Sequence, residues 1–449
     1  MKKRVSLEVV NPNAAGIDVG SKSHFVAVGQ GNNDVREFGV FNEDLQEMCA
    51  WLKEHDIETV AMESTGTYWQ SLFTVLQQEG FRVILCNGKF TKNIKGKKTD
   101  VQDCQWIQKL HTIGLLSGSF LPDQYTEQLR TYCRHRSNLI DNAADTTRKM
   151  QKYLRLLNLR LDVVVKDIVG LTGLKIINAI CAGETCPQKL ASCRNGNCKK
   201  SEEEIAKALH TNGRQDYLFA LKHEYFMYQT LQKSIQECDI EIKRMLDEQI
   251  NSDDNKKQLY IDKKVHKRIN KNTPKNIDLN LMAYQYFDGV DLFAIEGVSH
   301  GTVLSIISEV GLEGFFKFKT GKLMTAWARL VPNNKISGGK VLSHKVPKGS
   351  TRLKIALRNA AQAIGQLNGT PLSDFYKRIL FRKESVAAIT ATARKLLIII
   401  HSMVTKKQPY RNEQNYEFLD QKRKRKVQEM KKLIHTFKVS ADELGLQFQ

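Results

Sequence analysis

Apolar and polar positions change in short bursts over the first quarter of the chain and then settle into helical spacing. Ala15–Val19, Phe25–Val28 and Val35–Val40 are brief runs of β-formers broken by Gly, Ser and Asn, and they read as three successive strands. Asn42 is placed to cap a helix running to about His55, because Leu45, Met48, Cys49 and Leu52 recur at helical intervals. The same pattern predicts a strand over Glu58–Glu63, a helix from Tyr68 to Gln78, a strand over Arg82–Cys86 and a helix from about Asp100 to His111. Together these segments predict an α/β domain, closed by Leu116–Leu121 and Pro122.

Beyond that domain the chain turns helical. Tyr125 to about Leu161 reads as one long helix with an apolar and a basic face. A second runs from about Asp216 through Met245, with Leu218, Leu221, Tyr225, Leu231, Ile235 and Ile242 forming a broken stripe. Such a pair suits an antiparallel coiled coil or a dimer seam, or simple packing within one chain. Residues 163–213 lengthen this region, and the Asn/Lys-rich stretch 251–280 is polar and poor in aromatics, which predicts a flexible linker. The expected organisation is therefore 1–122, a helical 123–285 with an insertion and a basic linker, a mainly α 286–405, and a basic helical tail over 406–449.

Four acidic residues change the picture from architecture to chemistry. Asp18 lies inside the apolar run Ala15–Gly20, Glu63 ends another, and Asp100 and Asp103 open the predicted helix at 100, three apart on one face. A carboxylate within a buried strand is costly unless a cation meets it. Two divalent ions about 3.5–4 Å apart would do so and would also activate an in-line attack on phosphate. An all-oxygen donor set favours magnesium or manganese over zinc. Taken singly, each acid has a plainer reading: a solvated helix residue, a strand-end charge, or a first-turn acid favoured by the helix dipole.

The segments Gly16-Ile17-Asp18-Val19-Gly20, Met62-Glu63-Ser64-Thr65-Gly66 and Lys98-Thr99-Asp100-Val101-Gln102-Asp103 resemble the DEDD motifs of the insertion-sequence transposase family numbered one hundred and ten. The resemblance implies an RNase H-like, RuvC-like N-terminal domain. It returns in the C-terminal region, where Ile295–Leu304 resembles a helix–hairpin–helix whose Gly297 and Gly301 bound a turn suited to phosphate. Further on, Ile336-Ser337-Gly338-Gly339-Lys340 is similar to the Ser-Gly segment of the family's C-terminal transposase domain, and by that correspondence Ser337 is the nucleophile. Glycines after it would let a DNA backbone approach closely. A serine hydroxyl needs a base or metal beside it, and no evident base lies near Ser337 in sequence. The resemblance further implies a recombinase that joins serine to DNA, a noncoding bridge RNA paired with donor and target DNA, and dimers that pair into tetramers with serine and carboxylates from different subunits.

Charge points the same way. The 449 residues carry a net charge of +21, which favours a polyanionic partner. Lys89, Lys92, Lys95, Lys97 and Lys98 lead directly to Asp100, while Arg148, Lys149, Lys152, Arg155 and Arg160 follow the first long helix. Lys340, Lys345 and Lys348 surround the Ser-Gly segment, Lys263 to Lys271 populate the linker, and Lys422 to Lys426 mark the tail. The first residues lack the apolar core of a signal peptide, and the run Leu396–Ile400 is too short to span a bilayer, so a cytoplasmic protein without a membrane partner is expected. Its nine cysteines should then be thiols. Cys181, Cys186, Cys193 and Cys198 crowd one segment and raise a four-thiolate zinc site, against which they lack the two-residue gaps of zinc ribbons. Two rivals to the recombinase remain: a metal-dependent junction resolvase or nuclease that uses water, and a noncatalytic RNA-binding protein.

Overall fold

A five-stranded mixed sheet organises the first of two compact units, Met1–Leu121 and Pro122–Gln449. The computed structural model describes residues 8–88, 99–261, 267–411 and 418–437, the last segment with side chains from 426 onward. The strands are β1 (Ala14–Val19), β2 (His24–Ala27), β3 (Val35–Phe38), β4 (Thr59–Glu63) and β5 (Arg82–Cys86), in the order β3-β2-β1-β4-β5. β1, β2 and β3 pair antiparallel, whereas β4 and β5 join the other edge of β1 in parallel. The parallel pairs require crossovers, supplied by α1 (Asn42–Glu54) and α2 (Trp69–Gln78). Asn42 starts α1 rather than capping it, because Asp44 accepts the Phe41 N–H at 3.0 Å.

Strand alternation divides this unit's apolar residues between two faces. Ile17, Val19, Val26, Val60 and Met62 pack with Leu45, Met48, Leu52, Leu72 and Leu76 of α1 and α2. On the other face Ala61 and Cys86 meet Ile107, Leu110 and Leu116, the first two from α3 (Asp100–Thr112). α3 comes unusually close to the sheet at Gly16, where a Cβ would overlap Gln108 N and stand 2.5 Å from Cys104 O. Gln108 is buried there and serves as a polar stitch: its Nε2 donates to Ala14 O at 3.2 Å, and its Oε1 accepts from Gln30 Nε2 at 2.6 Å. His111, one turn on, bonds Thr59 Oγ1 at 2.9 Å, and burial with Arg82 nearby lowers its pKa to about 4.

The second unit is built on α4 (Gln124–Leu156), α5 (Leu171–Cys181) and α6 (Gln215–Asn251). α4 ends five residues before the expected Leu161, where Asn158 takes φ +63°, and α6 continues past Met245. Toward one end of the α4–α6 pair, residues of the 163–213 stretch such as Ile176, Ile177, Leu190 and Ile205 form a core with Met150, Leu154 and Leu221. Toward the other, Leu129, Ile242, Met245 and Leu246 join a larger core with the C-terminal helices. The helices of that core include α7 (Leu279–Tyr286), α8 (His300–Glu309), α9 (Gly321–Trp327), α10 (Arg352–Gly365), α11 (Pro371–Arg382) and α12 (Ser385–Lys406), and α13 (Phe418–Phe437) follows them in sequence.

Two expectations change here. Where described, 251–280 is not a free linker: Arg136 and Asp239 form a buried ion pair, Arg136 Nη2 donates to Asn272 O at 3.0 Å, and Lys275 N donates to Asp239 Oδ2 at 3.0 Å. Backbone groups complete that ion pair, so the segment is held in place. The apolar run Leu396–Ile400 belongs to the 22-residue α12, which by length and a mean hydropathy of 1.4 could cross a bilayer. Its Leu396, Leu397 and Ile400 are instead fully buried in the larger core, the placement of a central packing helix.

Gly16→Ala should destabilise the protein by about 2–3 kcal/mol, since the added methyl meets backbone on α3 that cannot rotate away. Thermal and urea melting of the full chain check this; unchanged melting would show that α3 does not need the close approach.

Candidate active site

Three of the four predicted carboxylates are placed toward one edge of the first unit. The parallel register aligns Ile17 with Met62, so Asp18 and Glu63 occupy equivalent positions one residue further along, at the carboxyl ends of neighbouring central strands. Alternation then puts both on the α3 face: Asp18 shares it with Gly16 and Glu63 with Ala61. Asp103 lies in the first turn of α3, whose close approach at Gly16 draws that turn toward β1.

Two buried thiols register these charges. Cys104 is pushed up to about 12, first by burial and then by the Asp18 and Asp103 carboxylates, and Cys86 to about 11 by burial with Glu63 beside it. A Cβ at Gly88 would overlap Glu63 Oε1, so that glycine leaves room for the carboxylate. Asp100 is exposed at the start of α3, where Thr99 caps the helix by accepting Gln102 N at 3.3 Å.

The sequence expectation assigns a divalent cation to Asp18, Glu63, Asp100 and Asp103 together. Their oxygen-only chemistry fits a hard ion. Among the described residues, however, no three His, Cys, Asp or Glu side chains are grouped closely enough to ligate one. The donors share an edge without yet forming a closed cage. Lys95, Lys97 and Lys98, expected to deliver phosphate to this edge, lie outside the described residues, as do Lys89 and Lys92.

Ser337 sits in the second unit on a hairpin that the sequence reading did not anticipate. β6 (Lys335–Ser337) and β7 (Lys340–Ser343) pair antiparallel, Ser337 facing Lys340 across a turn made of Gly338 and Gly339 at φ +54° and +74°. Two consecutive positive φ values define a type I′ turn, the one whose twist suits a two-residue hairpin. The glycines therefore serve the turn, and they also leave its tip open, since a Cβ at either would meet nothing within 4 Å. Ser337, Lys340, Lys345 and Lys348 are all exposed.

The Pro347–Gly349 segment that follows β7 is clamped by two basic side chains. Arg329 Nη1 donates to Lys348 O at 2.9 Å, and Lys354 Nζ to Gly349 O at 3.1 Å and Pro347 O at 3.4 Å. Lys354 is 4% exposed, and its pKa is lowered by burial and by Arg358 and Arg329. The sequence held one cue to this clamp: a lysine beside the apolar stripe Leu353, Leu357, Ala360 and Ile364.

The remaining predicted residues fall in varied settings. Gly297, at φ +74°, packs against α10, where a Cβ would overlap Ile364 Cγ1; Gly301 stands open in the first turn of α8, which Ser299 caps. Gly301 borders a cavity of about 540 Å³ that Arg134, Arg136 and Arg352 also line. On α4, Arg148 pairs with Asp145 and Arg155 bonds Asp162 at 2.9 Å, while Lys152 Nζ lies 5.7 Å from the Tyr153 ring centre. Cys181, Cys186, Cys193 and Cys198 are free thiols; Cys181, Cys193 and Cys198 pack against the smaller helical core, and the four make no metal-ligating group.

Two family models match the chain. One, a DEDD transposase model of IS110 described as a transposase, matches residues 15–158 and so spans all four carboxylates. The other, described as the transposase IS116/IS110/IS902 family, matches residues 291–377, which include Gly297, Ser337 and the hairpin. A comparison with curated proteins finds no match.

Replacing both Gly338 and Gly339 with Ala should melt the hairpin, because each L-residue held at positive φ costs about 1–2 kcal/mol. Gly338→Asn alone should leave it intact, Asn-Gly being a preferred type I′ pair. Hydrogen exchange at Lys340 and Val341 reads the difference; equal protection in the two variants would remove the turn assignment.

Proposed function

This chain belongs to the IS116/IS110/IS902 family of transposases, and from that membership we propose a DNA recombinase that cuts and exchanges strands through a covalent serine–phosphate link, using divalent metal held by acidic side chains. The enzyme is a transposase and its substrate is DNA. The observation that carries the finer reading is the alignment of Asp18 with Glu63 on adjacent parallel strands beneath the first turn of α3, within an RNase H-like domain as the DEDD motif implies.

In this reading Asp18, Glu63, Asp100 and Asp103 hold magnesium, with manganese able to replace it. Bound there, the ion supplies Lewis-acid stabilisation of charge on the phosphate oxygens. Ser337 Oγ attacks the scissile phosphorus: the Oγ–P bond forms as the P–O bond to the leaving hydroxyl breaks, and the leaving oxygen is protonated. The serine proton passes to solvent, to which the hairpin tip is open. Lys340 across the turn and Lys335 two residues before the serine on β6 attract the phosphate. The resulting ester preserves a phosphate linkage, so a second strand can reverse the step and be joined.

A noncoding bridge RNA pairing with donor and target DNA is the further partner that family membership suggests, and the charge of +21 supports two polyanions on one protein. Base pairing would then read sequence while the protein holds backbones. Assembly as a dimer and tetramer has support on α6. Phe219, Phe226 and Ile240 fall at multiples of seven along it, each more than 60% exposed, a stripe suited to a second copy.

Asp18→Asn and Asp103→Asn should abolish strand cleavage yet retain DNA binding, since a donor is lost and the basic surface is not. Ser337→Ala should bind DNA and form no covalent adduct, as read by denaturing gels. Cleavage without an adduct in the unaltered protein would favour the water-using nuclease. Binding without magnesium-dependent chemistry would favour a noncatalytic RNA-binding protein.

A further inference from the structure

A cavity of about 510 Å³ opens between α11, α12 and the residues that follow α12, and neither the hairpin nor any predicted carboxylate lines it. Its walls combine two chemistries. Leu372, Ile399 and Met403 form an apolar side, while Arg378, Lys395 and Arg411 bring three cations, and no Asp or Glu is among the described residues that line it.

Two of these cations are held in position by an aromatic ring. Arg378 Cζ stands 5.2 Å and Lys395 Nζ 4.7 Å from the centre of Phe375, close enough for cation–π attraction to orient both. Lys395 has its pKa lowered by partial burial and then by the Arg378 charge, so the two concentrate positive charge on one wall. Tyr410 forms part of the wall, and its hydroxyl bonds Glu296; burial first and that bond second push it well above the usual phenol range, which fixes the ring in place.

We propose that this cavity binds one unstacked nucleotide of a nucleic-acid strand, the phosphate against Arg378 and Lys395 and the base against the apolar wall and Tyr410. Size excludes phosphate alone as the fitted ligand: the volume lies within the roughly 300–1,000 Å³ of small-molecule sites. A base offers a π-face to aromatic and apolar side chains whatever its identity, and the adjoining phosphate offers charge to the cations. The site would anchor a strand at a looped-out or unpaired position. This assignment rests on the nucleic-acid function proposed above but not on its cleavage chemistry.

The test uses the full chain, a short fluorescent oligouridylate and physiological salt. Arg378→Gln combined with Lys395→Gln should weaken binding about tenfold, the scale of one lost stacked and paired nucleotide. A control with the same charge change, Lys199→Gln with Lys200→Gln, should lose no more than about twofold. Ultraviolet crosslinking with 4-thiouridine in the oligonucleotide should label the peptide containing Phe375 or Tyr410, and thermal melting confirms that each variant is folded. Competition by uridine monophosphate separates the sources: displacement by the free nucleotide assigns any nucleoside phosphate, and its failure assigns a strand, either result supporting the site.

Equal losses in the pocket variant and the control, or crosslinks confined to other peptides, would overturn the site while leaving the transposase reading intact. Absence of all nucleic-acid binding by the unaltered protein would overturn both.

Discussion

The first unit depends on one missing methyl group. At Gly16 the backbone of α3 lies against β1 with no space for a Cβ, and the buried Gln108 amide stitches helix to strand through Ala14 O and Gln30. That approach brings the first turn of α3, with Asp103, to the strand ends that carry Asp18 and Glu63. The apolar contacts of Ile107 and Leu110 and the Gln108 bonds hold α3 against the sheet at that edge.

The second unit separates rigidity from exposure in a similar way. Arg136 and Asp239 join α4 to α6 in the interior, and the pair is completed by Asn272 O and Lys275 N, which tie down the polar stretch before α7. The hairpin with Ser337 projects its side chains into solvent, including Ile336 and Leu342, which are more than 60% exposed. At its base Asn333 N donates to Lys345 O at 3.1 Å, and Arg329 and Lys354 hold the Pro347–Gly349 segment that follows. The nucleophile proposed at Ser337 would gain from an open tip, since a Cβ at Gly338 or Gly339 meets nothing within 4 Å.

Much of the first unit was legible in the sequence because its strands and helices bury residues at regular intervals. β5 falls at the expected Arg82–Cys86, and the other elements of that unit lie within about two residues of expectation. The hairpin was missed because β6 and β7 bury almost nothing and show no alternation; only the Gly-Gly pair marked the turn. The end of α4 was overrun because Leu157, Leu159 and Leu161 continue an apolar pattern that Asn158 interrupts through its backbone alone. The stretch 251–280 looked like a linker because what anchors it includes backbone groups, which composition does not reveal. The candidate carboxylates were legible as a set, whereas their spacing without a ligand was not: sequence shows which faces they share and cannot show that no three of them close on one point.

The central proposal is that Asp18, Glu63, Asp100 and Asp103 share a divalent cation at the edge of the sheet. Titration of the full-length protein with Mn²⁺, followed by electron paramagnetic resonance, tests it without reference to catalysis. The account predicts saturable binding that Asp18→Asn weakens by about tenfold or more, while an acid exchanged elsewhere, such as Glu202→Gln, leaves it unchanged. Binding of equal affinity in Asp18→Asn and the unaltered protein would contradict it.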